Sequence, residues 1–112
     1  MLRVGIVGVG TMGRTHASAY TKLSNARLIG FTDAIADAAR HVASQFGVQA
    51  FDSYEALLEQ VDIVDICTPT PTHLELVLKA ASAGKHILCE KPLGRTLQQC
   101  EQMIEAADKA GG

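Results

Sequence analysis

The sequence predicts an α/β domain with a doubly wound parallel sheet covered by helices on both faces. Three observations predict it: short apolar runs that recur along the chain, segments of helical period between them, and turn or capping residues at the junctions. Parallel neighbours need a crossover, and a helix between successive strands supplies one.

Residues 2–7 are nearly continuous in apolar side chains and rich in Val and Ile, the pattern of a strand covered on both faces. Similar runs occur at Leu28 to Phe31, Val48 to Phe51, Ile63 to Cys67 and His86 to Cys89. Ala39, Val42, Ala43 and Phe46 fall at i, i+3, i+4 and i+7 on one helical face, and Gly47 follows as a C-cap. Asp52 to Glu55, Thr72 to Glu75 and Thr96 to Gln99 carry capping-box spacing, so Asp52, Thr72 and Thr96 are expected to open helices. The last of these, over 96–110, sets Leu97, Cys100, Ile104 and Ala107 on a face that needs a sheet to cover it, with Glu101, Glu105, Asp108 and Lys109 on a solvated one. No strand follows it, so the expected unit is one domain, 1–112, truncated before its last strand. Asp65 breaks the fourth apolar run: an ionised carboxylate there must be hydrogen-bonded or lifted to a wet edge.

A chain of 112 residues has the size of one domain, and 47% hydrophobic with 20% charged residues is a globular composition. The net charge is -2 and no run of Lys or Arg interrupts it, so nucleic acid is not expected as a partner. No segment approaches the roughly 18 apolar residues of a membrane span, and the apolar start is too short for a signal peptide. The expectation is a cytoplasmic protein with no membrane partner. Cys67, Cys89 and Cys100 are odd in number and too widely spaced for paired zinc ligands, and read as buried thiols. His16, His41 and His86 have no partner at metal-ligand spacing. No metal site is expected, and His16 is expected to pack or cap locally.

Gly8-Val9-Gly10-Thr11-Met12-Gly13 is a G-x-G-x-x-G between a strand and a helix. In that context Gly8 makes the tight turn, Gly10 lets the backbone approach a pyrophosphate, and Gly13 lets helix and strand pack closely. The free amides of Thr11, Met12 and Gly13 at the helix N-terminus would face the phosphates. Twenty residues on, at the end of the second strand, Asp33 stands where an acid accepts the adenosine ribose hydroxyls. Its charge favours NAD over NADP as cofactor, since Ala34-Ile35-Ala36 offers no cation to a 2′-phosphate. The competing reading makes Asp33 a helix N-cap or turn residue and the glycines turn chemistry alone.

Two further segments lie at carboxyl ends of strands, the edge that holds the ligand crevice in an open parallel sheet: Cys67-Thr68-Pro69-Thr70-Pro71-Thr72-His73 and Cys89-Glu90-Lys91-Pro92. With the glycine loop and His16, Asp33, Thr68-Pro69 with His73, and Ala83-Gly84-Lys85-His86, the Glu90-Lys91-Pro92 triplet resembles the glucose-fructose oxidoreductase and inositol dehydrogenase family over the whole chain. The resemblance implies an N-terminal Rossmann NAD(P)-binding domain, with a C-terminal α+β domain for substrate and dimerisation absent from this chain. It further implies that Lys91 is catalytic, lying beside the nicotinamide and the substrate hydroxyl, and that Glu90, Thr68, Pro69 and His73 help seat the cofactor. Oxidising a secondary alcohol removes the hydroxyl proton as hydride leaves, a task that suits a lysine. From spacing alone, Lys91 is a solvated lysine and His73 an ordinary first-turn residue.

The expected function is therefore a nicotinamide-dependent dehydrogenase acting on a sugar, inositol or related polyol. The resemblance also implies a homo-oligomer assembled through the second domain, and the 112-residue chain alone is expected to bind dinucleotide without turnover. A non-catalytic dinucleotide-binding or redox-sensing module is the alternative. A reductase or dehydrogenase of amino-acid metabolism ranks last, because it leaves Glu90-Lys91-Pro92 unexplained.

Overall fold

The computed structural model describes residues 2–89. Five strands, β1 (Leu2–Val7), β2 (Ala26–Thr32), β3 (Gln49–Ala50), β4 (Ile63–Ile66) and β5 (His86–Cys89), form one sheet. Its order is β3-β2-β1-β4-β5 and every pairing is parallel. Four helices connect them: α1 (Thr11–Tyr20), α2 (Ala36–Phe46), α3 (Tyr54–Gln60) and α4 (His73–Ser82).

Alternation along β1 explains the two-layered core. Ile6 faces α1 and α2 with Ala17, Leu28, Phe31, Ala39, Val42 and Ala43. Its neighbour Val7 faces α3 and α4 with Leu57, Leu58, Val61, Val64, Ile66, Val77 and Ala80. Successive strand residues point to opposite faces, so a strand buried on both must be apolar throughout, which is why residues 2–7 read as a continuous run. The chain winds from β1 to β3 along one side of the sheet and then crosses to β4 on the other, so the switch in strand order falls between β1 and β4.

The helix ends agree with the capping expectation at one junction and correct it at two. Gly47 is left-handed with φ 67°, and the amides of Gly47 and Val48 turn back onto the Ala43 carbonyl. α3, however, is capped by Ser53, not Asp52: Ser53 is extended and its Oγ accepts from the Ala56 amide at 3.1 Å. The hydroxyl one residue later already meets the N3 amide, so Asp52 lies outside the helix. Thr72 does not cap α4 either. Pro69 and a 3-10 turn over Thr70–Thr72 run straight into the helix, which puts Thr72 in helical geometry with no side-chain cap bond. Its hydroxyl donates to the Pro69 carbonyl at 2.6 Å instead. The expected helix over 96–110, with its Thr96 cap, and the expected truncation after it lie outside the described residues. Among the described residues, no helix is long and apolar enough to cross a membrane.

Candidate dinucleotide-binding site

The carboxyl ends of β1, β2 and β4 meet at the switch in strand order. Between them opens a crevice of about 450 Å³, lined by Val7, Thr32, Asp33, Tyr54, Thr68 and Thr72 among others. Open parallel sheets hold their ligands in this position. A larger groove of about 670 Å³ runs between α3 and α4, past Leu58, Leu78, Lys79 and Ala83. It is lined by none of the glycine-loop residues, nor by Asp33, Thr68, Pro69 or His73.

The glycine loop is held from three directions. Gly8 adopts φ +99°, donates its amide to the Thr32 carbonyl at 2.9 Å, and leaves so little room that a Cβ would lie 2.6 Å from the Cys67 carbonyl oxygen. Gly13 is tighter: a Cβ there would lie 2.0 Å from the Gly8 carbonyl oxygen. Gly10, by contrast, faces open space, with nothing within 4 Å of where a Cβ would stand. The side chain is therefore missing on the exposed side of the loop, where a phosphate could approach the backbone. The first backbone bond of α1 runs from the Arg14 amide to the Gly10 carbonyl at 3.0 Å. The amides of Thr11, Met12 and Gly13 thus lie outside the intrahelical ladder, and no acidic side chain sits in this first turn. Such a terminus favours an anion. These features fit a dinucleotide pyrophosphate.

Asp33 takes the turn role that the sequence offered as the competing reading. Oδ1 accepts from the Ile35 amide at 2.9 Å, an Asx turn, and Oδ2 accepts from the Val9 amide at 3.0 Å. The carboxylate therefore ties β2 to the glycine loop. Each oxygen has a second lone pair, so the half-buried group keeps acceptor capacity toward the crevice.

The Thr68-Pro69 turn is stapled from within. The Thr68 and Thr72 hydroxyls are 2.5 Å apart, and since Thr72 donates to Pro69, Thr68 is the donor between them. His73 is buried at 2% exposure, and its Nε2 donates to the Thr68 carbonyl at 2.8 Å. It sits behind the turn. Tyr54 closes the crevice floor: its hydroxyl donates to the Leu76 carbonyl at 2.8 Å, and burial, with the Cys89 and Glu55 charges, pushes its ionisation well above the ordinary tyrosine range. Of the expected site residues, Gly8, Gly10, Thr11, Met12, Gly13, Asp33, Thr68 and Pro69 converge on one edge of the sheet. Glu90 and Lys91 lie outside the described residues.

Sequence reasoning missed the polar cluster beneath this loop. Asp65 is wholly buried, and its Oδ2 is 2.7 Å from both His16 Nδ1 and the Tyr20 hydroxyl, while the Cys67 thiol lies 3.3 Å from Oδ1. Burial and the Asp65 carboxylate raise the Tyr20 ionisation beyond its usual range. His16 was expected to pack or cap locally; it is instead bound to a residue 49 positions away. The available signal was the charged residue in an apolar strand, together with a His and a Tyr at i, i+4 on the facing helix.

A parallel sheet with a glycine-loop helix and an acid at its switch point is the architecture of a nucleotide-binding oxidoreductase domain. Residues 2–112 match the GFO_IDH_MocA model, described as an oxidoreductase family with an NAD-binding Rossmann fold, and the chain belongs to that family. It is 40% identical over 108 residues to the UDP-N-acetylglucosamine 3-dehydrogenase of Acidithiobacillus ferrooxidans, a match covering 96% of this chain and 34% of that protein. The solved structure of that enzyme superimposes with a TM-score of 0.92 at 38% identity, over 98% of this chain and 34% of the other. The myo-inositol 2-dehydrogenase of Thermotoga maritima is 38% identical over 112 residues, covering 97% and 34% of the two chains. Among solved structures with bound cofactor, GenD2 from gentamicin A biosynthesis carries NAD (TM-score 0.93, 29% identity, covering 98% and 32%). The Synechocystis biliverdin reductase carries NADP+ (TM-score 0.91, 29% identity, covering 98% and 35%). The chain spans about a third of the length of the relatives it matches.

Proposed function

We propose that the whole protein is an NAD-dependent dehydrogenase that moves hydride between the nicotinamide and a secondary alcohol of a sugar, inositol or related polyol, with residues 1–112 as its cofactor domain. The observation that carries this reading is the Asp33 carboxylate bonded to the Val9 amide, which sets an acid and a glycine loop together at the switch point. The bound cofactor supplies the hydride chemistry. The amides of Thr11, Met12 and Gly13 orient the pyrophosphate, and Gly10 leaves it room. Asp33 accepts the ribose hydroxyls and disfavours a 2′-phosphate, with no cation in Ala34-Ile35-Ala36 to offset its charge. Thr68 and Pro69 wall the nicotinamide side, and His73 acts through them by holding the Thr68 carbonyl. Lys91 is assigned the substrate proton and Glu90 a place beside the cofactor, on the family resemblance. The substrate class rests on the names of the relatives, which act on a nucleotide sugar and on inositol. The determinants of substrate choice are assigned to a C-terminal domain beyond this chain, which is also the expected seat of homo-oligomerisation.

Titration with NADH and NADPH tests the assignment, with Asp33→Asn and Lys91→Ala alongside. Asparagine keeps an acceptor for the loop and removes the charge. NADH should bind about tenfold or more tightly than NADPH, as hydrogen bonds to a charged group allow. Asp33→Asn should narrow that gap, and Lys91→Ala should leave dinucleotide binding intact while abolishing sugar or polyol oxidation by the whole protein. Equal affinity for the two cofactors in the wild type would overturn the role of Asp33. Binding without turnover of any polyol would favour a non-catalytic dinucleotide module.

A further inference from the structure

We propose that His16, Asp65 and Cys67 form a binding site for a thiophilic divalent transition-metal ion, best matched by zinc, with Tyr20 as the outer hydrogen-bond partner of the carboxylate. One ligand atom from each of the three residues lies within 4.8 Å of the other two. His16 and Tyr20 stand one helical turn apart on α1, while Asp65 lies on β4 and Cys67 one residue past its end, where its amide still donates to the Val7 carbonyl at 2.8 Å. The ligands are thus mounted on the rigid part of the fold.

The donor set and the spacing both suit such an ion. Imidazole, carboxylate and thiolate are the zinc ligands of proteins, at about 2.0–2.1 Å for nitrogen, 2.0–2.2 Å for oxygen and 2.3 Å for sulfur. Those lengths at a tetrahedral angle put sulfur roughly 3.5 Å from a neighbouring ligand. Cys67 Sγ lies 3.4 Å from His16 Nδ1 and 3.3 Å from Asp65 Oδ1. The Nδ1 to Oδ2 separation of 2.7 Å is a direct hydrogen bond and must open by about 0.7 Å for both atoms to share an ion.

In the metal-free form the imidazole, the phenol and the thiol converge on Asp65. Nδ1 faces both Oδ2 and Sγ, yet one N–H donates well to only one of them. Asp65 therefore accepts from the imidazole, the phenol and the thiol together. On binding, the Cys67 thiol proton goes to solvent and the sulfur becomes a thiolate. The imidazole proton moves to Nε2, so Nδ1 offers its lone pair, and Asp65 ligates while still accepting from Tyr20. A divalent ion with one thiolate and one carboxylate is neutral overall, which suits a site whose carboxylate is wholly buried in an apolar layer with Ile6 and Ala17. The His16 side chain is 17% exposed and provides the way in. The bound ion would brace α1 to β4 directly beneath the Gly8 turn.

The test is a cobalt(II) titration of the purified, chelator-stripped and reduced protein. We expect one equivalent to bind, with a thiolate-to-cobalt charge-transfer band and release of one proton, and zinc to displace it. Cys67→Ser and His16→Gln should abolish the band, Cys89→Ser should not change it, and Tyr20→Phe should weaken binding about 10- to 100-fold. Should Cys67→Ser fail to fold, X-ray absorption of the zinc-loaded wild type reads the same point, with one sulfur expected at about 2.3 Å. Absence of saturable binding, a band that survives Cys67→Ser, or a zinc shell of nitrogen and oxygen alone would each overturn the site. None of these readouts depends on dinucleotide binding or turnover.

Discussion

The α carbon of Gly13 packs so closely on the Gly8 carbonyl that a methyl group placed on it would lie 2.0 Å from the oxygen. This contact sets the distance between α1 and the end of β1, and so the place of the helix N-terminus relative to the crevice. Gly13→Ala must push the helix away, at a cost of about 1–3 kcal/mol for overpacking. Chemical denaturation should show that loss, and dinucleotide titration should show weaker binding. Unchanged stability would mean that the loop yields without strain.

Leu57 is fully buried where α3 crosses β1 and β2. Truncation to Ala removes its packing and leaves a cavity, so Leu57→Ala should cost about 2–5 kcal/mol in urea unfolding. Leu78, which is 39% exposed, should lose much less on the same change.

Capping of α3 distinguishes two neighbours. Ser53→Ala should destabilise the protein by about 1 kcal/mol, because the Ala56 amide loses its acceptor. Asp52→Ala should have a smaller effect. The reverse order, read by thermal unfolding, would restore the cap to Asp52.

Arg3 and Asp62 join the start of β1 to the residue before β4, with the guanidinium 3.0 Å from Oδ1 and the Arg3 amide 2.8 Å from Oδ2. These bonds hold the Asp62 carboxyl down to about 2, from an ordinary 3.8. The folded form thus holds its proton less readily than the unfolded one. The resulting stabilisation is complete above pH 3.8 and fades as the pH falls toward 2. Unfolding followed between pH 5 and pH 2 should show a decline that Arg3→Met flattens.

The strands, the glycine loop and Asp33 could be read directly, because each is a local pattern: an apolar run, a turn that only glycine fits, an acid at a strand end. Caps were less legible. Asp52 and Ser53 both offer an oxygen, and only the backbone path decides which one meets an amide. At Thr72 the preceding Pro69 and Pro71 carry the turn into the helix, which the spacing of Thr72 and Glu75 does not reveal.

Asp65 marks the limit. The sequence by itself determined that its charge needed either hydrogen-bond partners or a wet edge, because burial without them is costly. It also determined the sheet class and the glycine loop, since both follow from periodicity and backbone permission within a few residues. Only the tertiary structure decided which partners Asp65 takes. His16 and Tyr20 reach it through the docking of α1 on the sheet, across 49 and 45 positions of chain. The same docking brought Cys67 alongside His16. Such meetings depend on how helices dock on a sheet, a property of the assembled fold that no local pattern encodes.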